Sequence, residues 1–259
     1  KMSKVYAIIS GKGGVGKTTS AINLAVSLNY LGENTLVVDG NLSTPNVGIH
    51  LGAPIVPITL NHVLKNEARL EDAVYEHESG TKVLPASLSS KDNEKIDYKK
   101  FSDVVKKIKK ISDFIFIDCA AGLGEEATSI VSASDEIIII TNPEISAVTD
   151  ALKAIKLAEQ KNKPVKGFIL TRHTGEEHEM SIQNILDMLE IPILGIIPED
   201  SSIKKSQSMK NPVVYTHPKS RAARHYINTS KRLLGENLEL EYKQENGIIK
   251  RFLRSIGLR

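Results

Sequence analysis

SGKGGVGKTT, residues 10–19, decides how the rest of the chain is read. Residues 11–18, GKGGVGKT, meet the spacing G-x-x-x-x-G-K-[ST] without a mismatch. The stretch follows an apolar run, VYAIIS (5–10), and opens a segment of helical period over 17–31. Strand, glycine-rich loop and helix, in that order, make a phosphate cradle. Phosphate needs many short donors. Gly11, Gly13, Gly14 and Gly16 leave the backbone N–H groups of the loop, that of Val15 included, open to approach. The helix beginning near Lys17 adds its positive end. Lys17 is placed to reach the β- and γ-phosphates of a nucleotide, and Thr18 to offer its hydroxyl to Mg²⁺.

Working outward, short Ile- and Val-rich runs recur at TLVVDG (35–40), KVLPA (82–86), DFIFIDC (113–119), EIIIITN (136–142), VKGFILT (165–171) and IPILGIIP (191–198). They are continuous rather than alternating, which predicts strands buried on both faces of a parallel sheet. Helical segments fall between them near 99–111, 145–162, 179–190 and 219–235. The expected fold is one doubly wound α/β domain over residues 1–235, with a polar connector at 236–246 and a tail at 247–259. In such sheets ligands bind at the carboxyl ends of the strands. Asp39 and Asp118 each close a strand there, so both are candidates to face a metal ion and its waters.

The composition narrows the setting. Trp is absent, and Cys119 is the only cysteine, so neither a disulfide framework nor a cluster of cysteine ligands can form within one chain. No run approaches the roughly 18 apolar residues of a membrane-spanning helix, and a cytosolic protein is expected. The net charge of +3 is uneven: residues 246–259 carry four cations and no acid, leaving 30 basic against 31 acidic residues elsewhere. A protein-wide nucleic-acid surface is therefore not expected. His173 and His178 read as solvated loop residues, Cys119 as buried and inert, and the basic stretch SRAARHY (220–226) as a solvated helix face.

KGGVGKTT resembles the deviant phosphate loop of the MinD/ParA ATPases, whose mark is a lysine after the first glycine. DGNLSTPNVGIHLG (39–52) is similar to their first switch and DCAAGLGEEA (118–127) to the second. TNPEISAVTDA (141–151), ILTRH (169–173) and GIIPED (195–200) extend the likeness, which is strongest to archaeal MinD-like members. The resemblance implies a P-loop ATPase that binds ATP and Mg²⁺ and forms a homodimer when ATP is bound. It implies that Lys12 reaches across the dimer to the partner's phosphates, that Lys17, Thr18 and Thr19 take the phosphate and Mg²⁺ positions, and that Asp39 and Asp118 are the switch acids. It also implies that Glu144 contacts the partner's nucleotide and that Arg172, Pro198, Glu199 and Asp200 border the adenine. T-R-H-T (171–174) has no aspartate to read guanine, which favours ATP.

Two positions depart from the family pattern. Asn41 stands where a second switch aspartate is usual, and an amide can orient water but cannot take its proton. Ala120 stands where a proline is usual. Slow hydrolysis and a long-lived ATP dimer are expected.

In the tail, GIIKRFLRSIGLR (247–259) divides on a helical projection. With Ile248 at zero, Phe252, Ile256, Ile249 and Leu253 lie at about 40°, 80°, 100° and 140°, and Lys250, Arg254 and Arg251 at about 200°, 240° and 300°. One face is apolar and the other cationic, the pattern of a helix lying in an anionic membrane surface. The resemblance matches this to the membrane-targeting sequence of MinD. The expectation is a spatial regulator, placed reversibly at the inner face of the cell membrane, with an activating or cargo protein still to be identified. The rival is a ParA-like partition ATPase on nonspecific DNA. Iron–sulfur relatives need cysteine pairs, and a metabolic kinase leaves Lys12 without a task.

Asn41→Asp is expected to raise the single-turnover ATP hydrolysis rate several-fold; an unchanged rate in a quench experiment would remove Asn41 as the cause of slow turnover.

Overall fold

Ile and Val fill the interior strands because helices cover the sheet on both sides. The computed structural model describes residues 3–94 and 96–241. Its eight strands are β1 (Lys4–Ile9), β2 (Thr35–Gly40), β3 (Tyr75–Glu76), β4 (Lys82–Leu84), β5 (Phe114–Cys119), β6 (Glu136–Thr141), β7 (Val165–His173) and β8 (Ile193–Pro198). They form one sheet in the order β3-β4-β2-β5-β1-β6-β7-β8. Every pairing is parallel except β3 with β4. In β2 and β5 every residue is buried. The seven runs read from sequence are all strands; β3, two residues at the sheet edge, carried too little pattern to be seen.

Two cores flank the sheet. On one side the Lys17–Tyr30 helix and the Arg221–Leu233 helix pack over Tyr6, Ile8, Val37, Phe116 and Ile138. On the other, the helices Phe101–Ile108, Glu125–Ala133, Ile145–Gln160 and Ile182–Leu189 pack over Val5, Ala7, Leu36, Ile115 and Ile139. The Lys17–Tyr30 helix is buried nearly all round from Ser20 to Leu28, because the Arg221–Leu233 helix covers its outer side. β1 lies between β5 and β6, so the loop after it leaves the middle of the sheet at its carboxyl edge. Among the described residues no helix is long and apolar enough to cross a membrane.

Arg232 holds the start of the connector, donating from Nε to Leu238 O at 2.8 Å and from Nη2 to Glu239 O at 2.5 Å. The amphipathic segment expected at 247–259 lies outside the described residues.

At Gly195, in β8, an added Cβ would stand 2.0 Å from Oγ1 of Thr229 on the Arg221–Leu233 helix. Gly195→Ala is expected to cost about 1–3 kcal/mol through overpacking, a drop of about 2–4 °C for each kcal/mol. Thr229→Ala in the same chain should recover part of the loss in a thermal melt; no recovery would place the cost elsewhere.

Candidate functional site

The loop after β1 is shaped by its glycines. Gly14 and Gly16 have φ of 76° and 96°, a conformation that side chains disfavour. Gly11 passes so close to the Ile145–Gln160 helix that a Cβ would stand 2.4 Å from Asp150 O. Gly16 precedes the Lys17–Tyr30 helix and no side chain caps it, so the first-turn N–H groups are left for a ligand. Lys17 is buried and donates to Ser10 Oγ at 3.0 Å, while that hydroxyl donates to Lys12 O at 2.6 Å. Burial holds the Lys17 ammonium below its usual pKa, with Asp118 opposing. A phosphate above it would supply the missing negative charge. Thr171 Oγ1, buried in β7, is within hydrogen-bond distance of Val15 O at 2.7 Å and Thr141 O at 3.0 Å, tying loop to sheet.

Two carboxylates stand in register beside the loop. Asp39 is the next-to-last residue of β2 and Asp118 lies directly opposite in β5; both are buried. Thr18 Oγ1 donates to Asp118 Oδ2 at 2.5 Å. Asp118 Oδ1 has no hydrogen-bond partner among the described residues. Asp39 accepts from the backbone of Asn41 at 3.2 Å on Oδ1, and from Asn46 and Val47 at 2.9 Å each on Oδ2. Burial, and then Asp118, push Asp39 up to about 8; burial pushes Asp118 up to about 6, against Thr18 and Lys17. Two buried acids, one with a bare oxygen beside a threonine hydroxyl, fit a Mg²⁺ ion. Among the described residues no three His, Cys, Asp or Glu side chains could hold a metal alone. An ion here would therefore have to share phosphate oxygens or waters.

The segments after β2 and β5 are joined by Glu126, a residue missed in the sequence. From the Glu125–Ala133 helix its carboxylate accepts from Leu42 N and, at 2.9 Å, from Ser43 Oγ. Asn41 makes a closed turn with Thr44: its Nδ2 donates to Thr44 O at 2.6 Å, and its Oδ1 accepts from Thr44 N and Oγ1 at 3.1 Å. In this arrangement its amide serves the loop. Ala120, in the place of the expected proline, follows β5 without a cis bond. Cys119 is buried, and burial pushes its thiol well up.

Lys12 points away from Lys17. Its Nζ donates to Glu144 Oε2 at 2.9 Å and to Ser146 Oγ at 3.2 Å, at the start of the Ile145–Gln160 helix. Both charged side chains are about half exposed, and the hydrogen bond from Lys12 holds the Glu144 carboxyl below its usual range.

Next to the loop lies a cavity of about 170 Å³ lined by Val15, Gly16, Thr19, Arg172, Glu199, Asp200 and Gln207, among others. Gln207 donates to Thr19 Oγ1 at 3.2 Å. Arg172 has a left-handed backbone, φ 56°. Asp200 uses its carboxylate on two helix starts, accepting from Ser202 N at 2.9 Å and Ala222 N at 3.0 Å. Pro198 does not line this cavity; it borders a separate one with His173 and Arg221. His173 is not a solvated loop residue: its side chain is 11% exposed and its Nδ1 lies 2.8 Å from Glu179 Oε2. His178 is exposed, as expected.

A family model described as an AAA domain matches residues 3–166. An uncharacterized ATP-binding protein of Methanocaldococcus jannaschii is 34% identical over 256 residues, 98% of this chain and 97% of that protein. The septum site-determining protein MinD of Pyrococcus horikoshii, solved in complex with Mg-ADP, superposes with a TM-score of 0.86 at 37% identity, covering 90% of this chain and 96% of that one. MinD in the MinC:MinD cell division protein complex of Aquifex aeolicus superposes at 0.85 with 31% identity, over 93% and 99% of the two chains.

The buried acid pair sets a pH dependence. Both pKa values lie above the usual carboxylate value, so the folded chain holds protons that the unfolded chain releases. Without nucleotide or metal, the pair's contribution to stability should be full below about pH 4 and be lost as pH rises through about 6 and about 8. Asp118→Asn keeps an acceptor for Thr18 and removes one charge. In EDTA at pH 8 it should melt above the parent chain, by about 2–4 °C per kcal/mol gained, with the gap closing at pH 5. An equal gap at both pH values would contradict the charge argument.

Proposed function

The chain belongs to the MinD/ParA family of ATPases, and from that premise we propose that it is a MinD-type spatial regulator whose nucleotide site is completed by a second copy of the chain. The observation that carries the reading is the direction of Lys12. Lys17 already serves the chain's own loop from a buried position on Ser10. Lys12 lies at the rim with a half-exposed ammonium, held by Glu144 and Ser146. A partner's phosphates would give it a stronger anion, and it would stabilise charge on the γ-phosphoryl group in the manner of an arginine finger.

Within one chain, Lys17, the loop N–H groups and the hydroxyls of Thr18 and Thr19 bind and orient the phosphates. Thr18, Asp39 and Asp118 would hold Mg²⁺ together with its waters, and the ion would supply positive charge against the phosphates. Thr19, Arg172, Glu199 and Asp200 border the base in the adjoining cavity, with Pro198 at the end of β8 behind it. Glu144, at the head of its helix, is freed to meet the partner's nucleotide when Lys12 leaves it. Asn41 offers no proton acceptor, so hydrolysis is slow and the ATP dimer persists.

Dimerisation brings two tails together. Ile248, Ile249, Phe252, Leu253 and Ile256 form the apolar face and Lys250, Arg251 and Arg254 the cationic one. One such segment is a weak anchor, and two linked by a dimer bind far more strongly. ATP thereby brings the protein to the inner face of an anionic membrane and hydrolysis releases it. There it positions the division site or another structure through an activating or cargo protein.

Lys12→Ala should leave Mg-ATP binding within a few-fold of the parent while abolishing the ATP-dependent dimer in sedimentation. Phe252→Glu should leave the dimer and abolish flotation with anionic vesicles. Equal flotation of the ADP and ATP forms would overturn the switch.

A further inference from the structure

At the end of β8, on the far side of Pro198 from the base cavity, lies a second cavity of about 430 Å³. Arg221, Arg224 and His225 line it from the first turns of the Arg221–Leu233 helix, His173 from β7, and Glu241 from the connector. The charge here is unbalanced. Arg221 and Arg224 are exposed, and neither makes a salt bridge among the described residues. The helix start is already satisfied, since Ser220 Oγ accepts from Ala223 N at 3.2 Å and Asp200 Oδ2 from Ala222 N at 3.0 Å. The two guanidiniums are therefore the free donors. His173 is nearly enclosed, its Nδ1 is taken by Glu179, and its Nε2 is buried without a partner among the described residues. Among the described residues Asp200, beside Arg221, is committed to the helix start, and the acid that lines the cavity itself is Glu241, with Oε2 4.0 Å from His225 Nε2 and Oε1 3.4 Å from Asn228 Nδ2.

We infer that this cavity is a phosphoryl-group site, in which Arg221 and Arg224 take the phosphate oxygens, His173 Nε2 lies behind them, and Glu241, held on His225 and Asn228, places a negative charge in the lining that opposes an arriving anion. Guanidinium pairs suit phosphate because their planar N–H groups match its oxygens. Position supplies the second argument. Arg232 holds Leu238 and Glu239 against the same helix, so the chain reaches Glu241 at the mouth of the cavity six residues before the amphipathic segment at 247–259. On the membrane reading above, on which this step rests, the tail would carry this face toward the headgroups. The phosphate can come from an anionic phospholipid headgroup or from free inorganic phosphate.

The test uses the full chain loaded with Mg-ATP and three probes. The first is vesicles of phosphatidylcholine with phosphatidylglycerol. The second is inorganic phosphate against chloride at equal ionic strength, read by thermal shift. The third is duplex DNA, read by gel shift. The variants are Arg221→Gln with Arg224→Gln, Glu241→Gln, Phe252→Glu, and Lys107→Gln with Lys110→Gln as a control for charge elsewhere. A headgroup source predicts about tenfold weaker vesicle binding for the arginine pair, several-fold tighter binding for Glu241→Gln, and little change for the lysine pair. A free-phosphate source predicts the same order in the phosphate arm with vesicle binding unchanged. Either pattern supports the site; the gain in Glu241→Gln cannot come from misfolding. The inference is overturned if the arginine and lysine pairs behave alike, if Glu241→Gln changes nothing, or if only DNA binding responds to the arginines. Failure of the parent chain to float would instead remove the membrane reading, leaving the phosphate arm to judge the cavity.

Discussion

Two buried carboxylates, facing each other across neighbouring strands, are the constraint around which the site is built. Asp39 and Asp118 are paired in register at the carboxyl edge of the sheet. Burying one carboxylate is costly, and burying two in contact range of each other's field is costlier. The fold offsets this with what lies within reach: three backbone N–H groups on Asp39, the Thr18 hydroxyl on Asp118, and the Lys17 ammonium nearby. The balance is incomplete, which is why both acids remain shifted upward. A site left short of positive charge in this way is prepared for a divalent ion carried by a polyphosphate. Such a ligand also brings the negative charge that the loop donors and Lys17 lack.

The phosphate loop was legible because its chemistry is local. Eight consecutive residues supply the glycines, the lysine and the hydroxyl, and the flanking strand and helix are their immediate neighbours. The sheet was legible for a related reason: a strand covered on both faces must be apolar throughout. Asp39 and Asp118 could be found because each stands next to the end of such a strand. Glu126 could not, since its partners Leu42 and Ser43 lie 84 and 83 residues away and its own helix gives no sign of them. Thr171, bonded to Val15 across 156 positions, was hidden in the same way. For His173 the acid that buries it, Glu179, comes just after a polar T-G-E-E stretch (174–177) that reads as solvent-facing. The signal that could have found it is the enclosing register of β7 with β8, where His173 pairs with Pro198.

Asn41 shows where a residue type and its surroundings must be read together. From the sequence it is a missing base. In the fold it also closes a turn with Thr44, using both ends of its amide. An aspartate could keep the bonds from Thr44 N and Oγ1 and would lose the donor to Thr44 O. A third carboxylate, beside Asp39 and Asp118, would also add to the charge already crowded there. The asparagine thus settles the loop, whatever it does to the rate, and a rate measurement alone would merge the two effects.

The same hydrogen bonds tie the nucleotide edge to the surface beyond it. Asp39 holds the start of the Val47–His50 helix through Asn46 and Val47, and Glu126 holds Leu42 and Ser43 from the segment that follows Asp118. Lys12 meanwhile ties the loop to the head of the Ile145–Gln160 helix. The Asp39 and Lys12 tethers are charged hydrogen bonds made by groups that a metal or phosphates would also compete for. Ligand binding at such a site cannot leave the tethers unchanged, because the same lone pairs and the same ammonium cannot be spent twice. The short helix, the second segment and the Glu144 corner are thus all tied by charged groups to one edge of the sheet, the edge at which the loop stands.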